Sequence, residues 1–309
     1  MSRKIVIAVI VVVGIGLAWM TFDASHQILP EPTCTQCHGP GILQQSVMRD
    51  EAGDPFTGSD ACEPCHTNIY HRWSRSDHCR TMMCPGPTTV FSQFSPDTAH
   101  YEYQGFTTKM ISSPTGYEMI APGEDGVDRA WPVDLVIGIR DHQGFLTRFP
   151  DGRYQVLPST YDMRKQTWFD ATEGLVVSDH VLKPDDEYYW TSRMRSWNRG
   201  CFDCHLSGMR KTYDAETNTY ATTWRDLGVD CEACHGAGLA HARLRTIKHK
   251  RNTLAEDTSL VRLQDLSARQ QVEVCGQCHA RKATLAEGYT PGADFHEHYF
   301  LYLLDDNMV

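Results

Sequence analysis

The distribution of apolar residues along the chain has three textures. An uncharged run from Ile5 through Phe22, rich in Val and Ile, follows the basic tip Arg3-Lys4. At about 1.5 Å of rise per residue it predicts a helix of roughly 27 Å, close to the ~30 Å hydrocarbon core of a bilayer. The run exceeds the apolar stretch of an ordinary secretory signal, so it reads as an N-terminal transmembrane helix, with a cleaved signal as the alternative. Either way the basic tip stays in the cytoplasm and the chain from about Asp23 is exported. The second texture is alternation: Tyr101-Glu-Tyr-Gln-Gly-Phe, Tyr117-Glu-Met-Ile, Val133-Asp-Leu-Val-Ile-Gly-Ile and Phe145-Leu-Thr-Arg-Phe predict short strands, and Pro150-Asp-Gly-Arg153 predicts a hairpin turn. The third is helical periodicity, in the stretch from Asp257 to Arg269 ahead of Cys275. No helical-repeat period is visible.

Composition adds little to this until cysteine and histidine are counted. The 309 residues, 35.0 kDa in mass, are 41% hydrophobic and 22% charged, ordinary values for a globular chain. A formal charge of -10 without a basic stripe argues against nucleic-acid binding. The unusual entries are 12 Cys and 15 His. Ten of the cysteines fall into five pentapeptides of one form: Cys34-Thr-Gln-Cys37-His38, Cys62-Glu-Pro-Cys65-His66, Cys201-Phe-Asp-Cys204-His205, Cys231-Glu-Ala-Cys234-His235 and Cys275-Gly-Gln-Cys278-His279. At these residue frequencies chance would produce about 0.02 of them, so the pattern is chemical.

C-x-x-C-H is the attachment pattern of c-type haem. Two thiols three residues apart lie on one side of a helical turn and can each add to a vinyl group of one porphyrin, and the adjacent imidazole is then held against the iron. Cys34, Cys37, Cys62, Cys65, Cys201, Cys204, Cys231, Cys234, Cys275 and Cys278 are accordingly expected to be thioether anchors. His38, His66, His205, His235 and His279 are expected to be the proximal ligands of five covalently bound haem c groups. A zinc ribbon would pair C-x-x-C units without a His after each. At roughly one haem per 57 exported residues, conventional apolar pockets are too costly in chain, so a haem-packed core is expected. The predicted fold is mainly α and irregular, with a small antiparallel β insert. The expected divisions are an anchor at 1–22, a two-haem module at 23–90, the β insert at 91–189 and a three-haem module at 190–309.

Several stretches together resemble multihaem cytochromes c related to cytochrome c-554 and to exported cytochromes with tetratricopeptide repeats. They are Cys62-Glu-Pro-Cys65-His66 with Tyr70, Trp73 and Ser76-Asp-His78; Trp197-Asn198 before Cys201; Gly228-Val-Asp ahead of Cys231-Glu-Ala-Cys234-His235-Gly-Ala-Gly; and Phe295-His-Glu-His-Tyr299. The resemblance spans roughly residues 58 to 304. It implies that His78, His241 and His296 are distal ligands, with His298 competing with His296, and that the haem at Cys201 to His205 lacks a distal protein ligand. The motif at Cys34 looks like an added site, for which His26, eight residues earlier, is the local distal candidate. No tetratricopeptide repeat follows the last motif.

Cys79 and Cys84 fit no haem pattern, and a local disulfide is expected between them in an oxidising compartment. The basic run from His241 to Arg251 is either a solvated helix face or a docking patch for haem propionates or an acidic partner. No P-loop, dinucleotide fingerprint, G-x-S-x-G or H-E-x-x-H is present. These readings point to an inner-membrane-anchored protein with its haems on the periplasmic side, relaying electrons between a membrane respiratory complex and another redox protein. The alternative is a haem enzyme reducing a small nitrogen or sulfur oxide at one open iron.

Overall fold

A computed structural model describes residues 54–95, 99–103, 105–170, 181–251 and 260–302. The middle of the chain forms two antiparallel sheets. Strands β2 (His100–Tyr103), β3 (Phe106–Ser113), β4 (Gly116–Pro122) and β5 (Asp128–Pro132) make a four-stranded meander. A second sheet has the order β1-β6-β7-β9-β10, with β8 also pairing with β7. Its strands are β1 (Met82–Met83), β6 (Leu135–Ile137), β7 (His142–Arg148), β8 (Tyr154–Val156), β9 (Thr160–Asp162) and β10 (Thr167–Phe169).

In the meander Met110 faces Met119 across the β3/β4 ladder, and both are fully buried. The second sheet is buried on both faces because successive side chains of a strand point opposite ways. Val136 and Phe145 enter a cluster with Met110, Met119, Trp168 and Trp190. Their neighbours Leu135 and Leu146 enter a second cluster with Tyr154, Trp197, Phe202, Leu206, Trp224 and Leu227. The central sheet is thus the platform on which the segment carrying Cys201 to His205 is docked.

Tyr101, Tyr117, Val136 and Phe145 all lie on strands, as alternation predicts, but the expected fold class is wrong. Strand accounts for 28% of the described residues against 25% helix, so they are not mainly α. The β part is no small insert, and two side-chain clusters form apolar cores of their own. The reason is physical: a strand buried on both faces, such as Leu135-Val136 or Phe145-Leu146, loses the period-two signal. No helix among the described residues is long and apolar enough to cross a membrane. Ile5 to Phe22 lies outside them.

The hairpin at Pro150 to Arg153 closes β7 onto β8, with the Phe149 amide donating to the Arg153 carbonyl at 2.8 Å. Gly152 sits at φ +82°, and a Cβ there would stand 2.0 Å from the Tyr220 carbonyl oxygen. Gly152→Ala should therefore destabilise the fold by about 1–3 kcal/mol, read as a lower urea midpoint at unchanged m-value.

The helices are short and mostly carry the cysteine motifs: α1 (Glu63–Trp73), α2 (Trp197–Gly200), α3 (Cys231–His235), α4 (Leu239–Arg251), α5 (Ala268–His279) and α6 (Phe295–His298). The periodic stretch before Cys275 becomes helical only at Ala268, where Ser267 and Gln270 form a reciprocal capping box. Two-residue ladders join β11 (Leu206–Ser207) to β14 (Asp226–Leu227) and β12 (Tyr213–Asp214) to β13 (Thr219–Tyr220). β15 (Lys282–Thr284) pairs with β16 (Tyr299–Leu301).

Candidate haem sites

Four of the five pentapeptides fall within the described residues, each on a single turn. Cys62 caps α1, and the helix carries Cys65 and His66, where the backbone leaves helical geometry at φ −117°, ψ 33°. Cys201 ends α2, and a short 3-10 turn, Phe202–Cys204, delivers His205. The third motif is α3 itself, and the fourth is the last turn of α5. Cys34, Cys37, His38 and His26 lie outside the described residues.

The motifs are brought together end to end. The Cys62 and Cys231 side chains are hydrogen-bonded to each other, as are those of Cys204 and Cys278. Cys234 stands within electrostatic range of Cys275, completing the order 62–66, 231–235, 275–279, 201–205. The shared hydrogen bond, with burial adding to it, pushes the Cys62 and Cys278 thiols up. Their partners move the other way, Cys231 downward and Cys204 to about 7, each because of that bond. Thioether sulfurs do not titrate, so for a haem-bearing chain these pairings matter as proximity.

Two pairs of imidazoles face each other at the same separation. His66 and His241 have ring centroids 6.3 Å apart at 25°, and His78 and His279 are 6.2 Å apart at 65°. Two metal–imidazole bonds of about 2.0 Å, plus ~1.1 Å from each ring nitrogen to its ring centre, sum to about 6.2 Å. The centroid separation of each pair is that of two imidazoles sharing one metal, so these four residues are candidates to hold haem iron from its two sides.

Other imidazoles are oriented by backbone carbonyls. Nδ1 of His205 is 3.2 Å from the Thr81 oxygen, that of His235 is 2.9 Å from the Val261 oxygen, and that of His298 is 3.2 Å from the Ala286 oxygen. An Nδ1–H donated this way leaves Nε2 as the lone-pair nitrogen available to a metal. Burial holds His205 below the usual imidazole range, against the Thr81 contact. His296 stacks edge-on against Phe295, and its backbone amide donates to Asp294.

The loop bearing His78 is held against the third motif. The Val229 amide donates to the His78 carbonyl at 2.8 Å, and Trp73 Nε1 donates to the Val229 carbonyl at 2.9 Å. This approach needs glycine at 228, where φ is +80° and a Cβ would stand 2.1 Å from the Cys79 carbonyl oxygen. Cys79 is disulfide-bonded.

Sequence reasoning missed the residues between the cysteines. Glu232 accepts from the backbone amides of Thr57, Gly58 and Gly238 at 2.9, 2.8 and 2.6 Å, tying the approach to Cys62 onto the third motif. Gln277 Nε2 donates to the Ala233 carbonyl at 2.9 Å, joining the third and fourth motifs. Asp203 accepts from the Thr284 hydroxyl at 3.1 Å, and Phe202 is buried in the cluster under the central sheet. Variable positions carry no motif signal, although buried polar residues inside a repeated pentapeptide would have been worth weighing. Glu232→Ala leaves three amides without their acceptor, at about 1–3 kcal/mol for a buried donor. It should lower thermal stability by several degrees in calorimetry.

Residues 171–236, which include the second and third described motifs, match a family described as Cytochrome c554 and c-prime. No curated protein matches the chain. Among solved structures, the outer cell wall cytochrome OcwA is 18% identical, with a TM-score of 0.49, over 80% of this chain and 45% of its own. An undecahaem cytochrome from the S-layer of Carboxydothermus ferrireducens is also 18% identical, with a TM-score of 0.41, over 82% and 30%. The chain spans less than half the length of either, and the site is read from its own residues. With repeated C-x-x-C-H turns packed against one another and the family match running through two of them, the chain is similar over residues 171–236 to cytochrome c554, and its motifs have the make-up of multihaem c-type attachment sites.

Proposed function

We propose that the chain is an exported pentahaem cytochrome c that relays electrons between a membrane respiratory complex and an extracytoplasmic redox partner. The observation that carries this reading is the contiguity of the four described motifs, seen in the approach of Cys62 to Cys231 and of Cys204 to Cys278 and in the hydrogen bond from Gln277 to Ala233. Bound haem supplies a one-electron centre. The chain's part is to fix the spacing between such centres and to hold imidazoles on both sides of them. His66 with His241 and His279 with His78 do this at the separation one metal needs. His205, His235 and, by the same tests of pattern, His38 supply the remaining proximal nitrogens. For His298, the Nδ1 contact with Ala286 favours it over His296 as a distal ligand.

Denatured protein should exceed its chain mass by five haems, about 3 kDa, and keep its haemochrome absorbance after acid-acetone extraction. A gain of four would remove the Cys34 to His38 site.

A second reading has one specific observation in its favour. Among the described residues no imidazole ring contact is made by His205 or His235, in contrast to His66 and His279, and of those two it is His205 that the resemblance to cytochrome c-554 leaves without a distal ligand. An open position there would take a small nitrogen or sulfur oxide. Titration with nitric oxide or cyanide should then saturate at one equivalent, and absence of binding leaves the relay alone.

A further inference from the structure

Three carboxylates are buried where the Cys62 and Cys231 motifs abut. Asp226 lies on β14, Asp230 caps α3 and Glu232 is in its first turn; they are 8%, 3% and 3% exposed. Asp226 accepts from the Ser59 amide at 2.7 Å, and Glu232 accepts from three amides. Asp230 differs. Its Oδ1 accepts from the Ala233 amide at 2.9 Å, while Oδ2 is buried with no hydrogen-bond partner among the described residues. An ionised oxygen in that position has no donor and two like charges beside it, a combination that a proton relieves on both counts.

Among the described residues, the groups that act on Asp230 are acidic or hydrogen-bonding ones. From the segment before α1 come Ser59, Asp60 and Cys62, with Asp60 accepting from the Tyr70 hydroxyl at 2.8 Å. From α3 come Cys231 and Glu232, and from β11 Ser207, whose hydroxyl oxygen accepts the Asp230 amide at 2.9 Å. Arg225, next to Asp226, is bound to Asp54. Burial, then Asp226 and Glu232, push the Asp230 carboxyl well above the usual carboxylate range, with Ser207 and the Ala233 amide pulling the other way.

We propose that Asp230 is a redox-linked proton acceptor: it takes one proton from solvent when the haem attached at Cys231 and Cys234 gains one electron, and returns it on reoxidation. This rests on the haem reading of the motif. The electron comes from an external one-electron reductant and reduces Fe(III) to Fe(II). The proton bonds to the Asp230 carboxylate oxygen, so the net charge of the buried junction is unchanged. Asp230 is a positioning residue for charge and touches no reacting atom of a substrate.

The test is a spectroelectrochemical titration of the haem-bearing protein at a series of pH values, with Asp230→Asn alongside. Asn keeps the cap and the volume and cannot ionise. In the wild-type protein one component should fall by about 59 mV for each tenfold drop in proton activity through the neutral range. In D230N that component should become independent of pH while the others keep their behaviour. A slope retained in D230N, or absent from the wild type, overturns the proposal. Where D230N fails to take up haem, redox-difference infrared spectra of the wild type decide. A carboxylic-acid carbonyl band must be gained on reduction, and its absence is equally fatal. Haem content by mass, measured on the same samples, separates failure of this inference from failure of the haem reading.

Discussion

His241→Ala is expected to convert one haem from six-coordinate low-spin to five-coordinate high-spin while leaving every thioether in place. The expectation follows from the 6.3 Å approach of the His241 and His66 rings, which leaves His66 alone on its side once the partner imidazole is removed. His241 sits on α4, outside the pentapeptides, so covalent attachment at Cys62 and Cys65 is untouched. The mass of the variant should match wild type less the side chain, and its oxidised spectrum should gain one high-spin signal. His78→Ala should do the same for the iron that His279 would hold, through the second pair at 6.2 Å. If His241→Ala leaves all haems low-spin, the ring pairing is not ligation.

The second large effect is on folding. Trp197 is fully buried in the cluster between the central sheet and the Cys201 turn, packed edge-on to Tyr154 and Phe202. Trp197→Ala should cost about 3–5 kcal/mol by cavity formation and lost burial. Phe202 lies between the two cysteines of its motif, so this cavity opens directly beneath a haem turn. Chemical denaturation should show the midpoint falling, and the variant's haem content should drop at that site before any other.

How far such features can be read without coordinates depends on the range of the forces that make them. The pentapeptides were legible because two thioethers and an imidazole on one porphyrin must come from a single turn of chain. The candidate distal residues His78 and His241 were nameable from their surroundings, but which proximal ring each faces depends on how α4 and the His78 loop pack. Tyr101 and Tyr117 announced their strands by alternation, whereas Leu135-Val136 and Phe145-Leu146, apolar toward two different clusters, concealed a sheet buried on both faces. The joints between motifs were hidden most completely. Glu232 reaches back to Thr57 and Gly58, more than 170 residues away in sequence, and nothing local distinguishes it from a solvated Glu.

Electron paramagnetic resonance of the fully oxidised protein tests the relay most directly, because it counts irons by coordination. A wire built on facing imidazoles requires low-spin haem throughout, broadened by coupling between neighbours, with at most one high-spin centre, at His205. Several high-spin centres, or uncoupled signals from isolated haems, would contradict it.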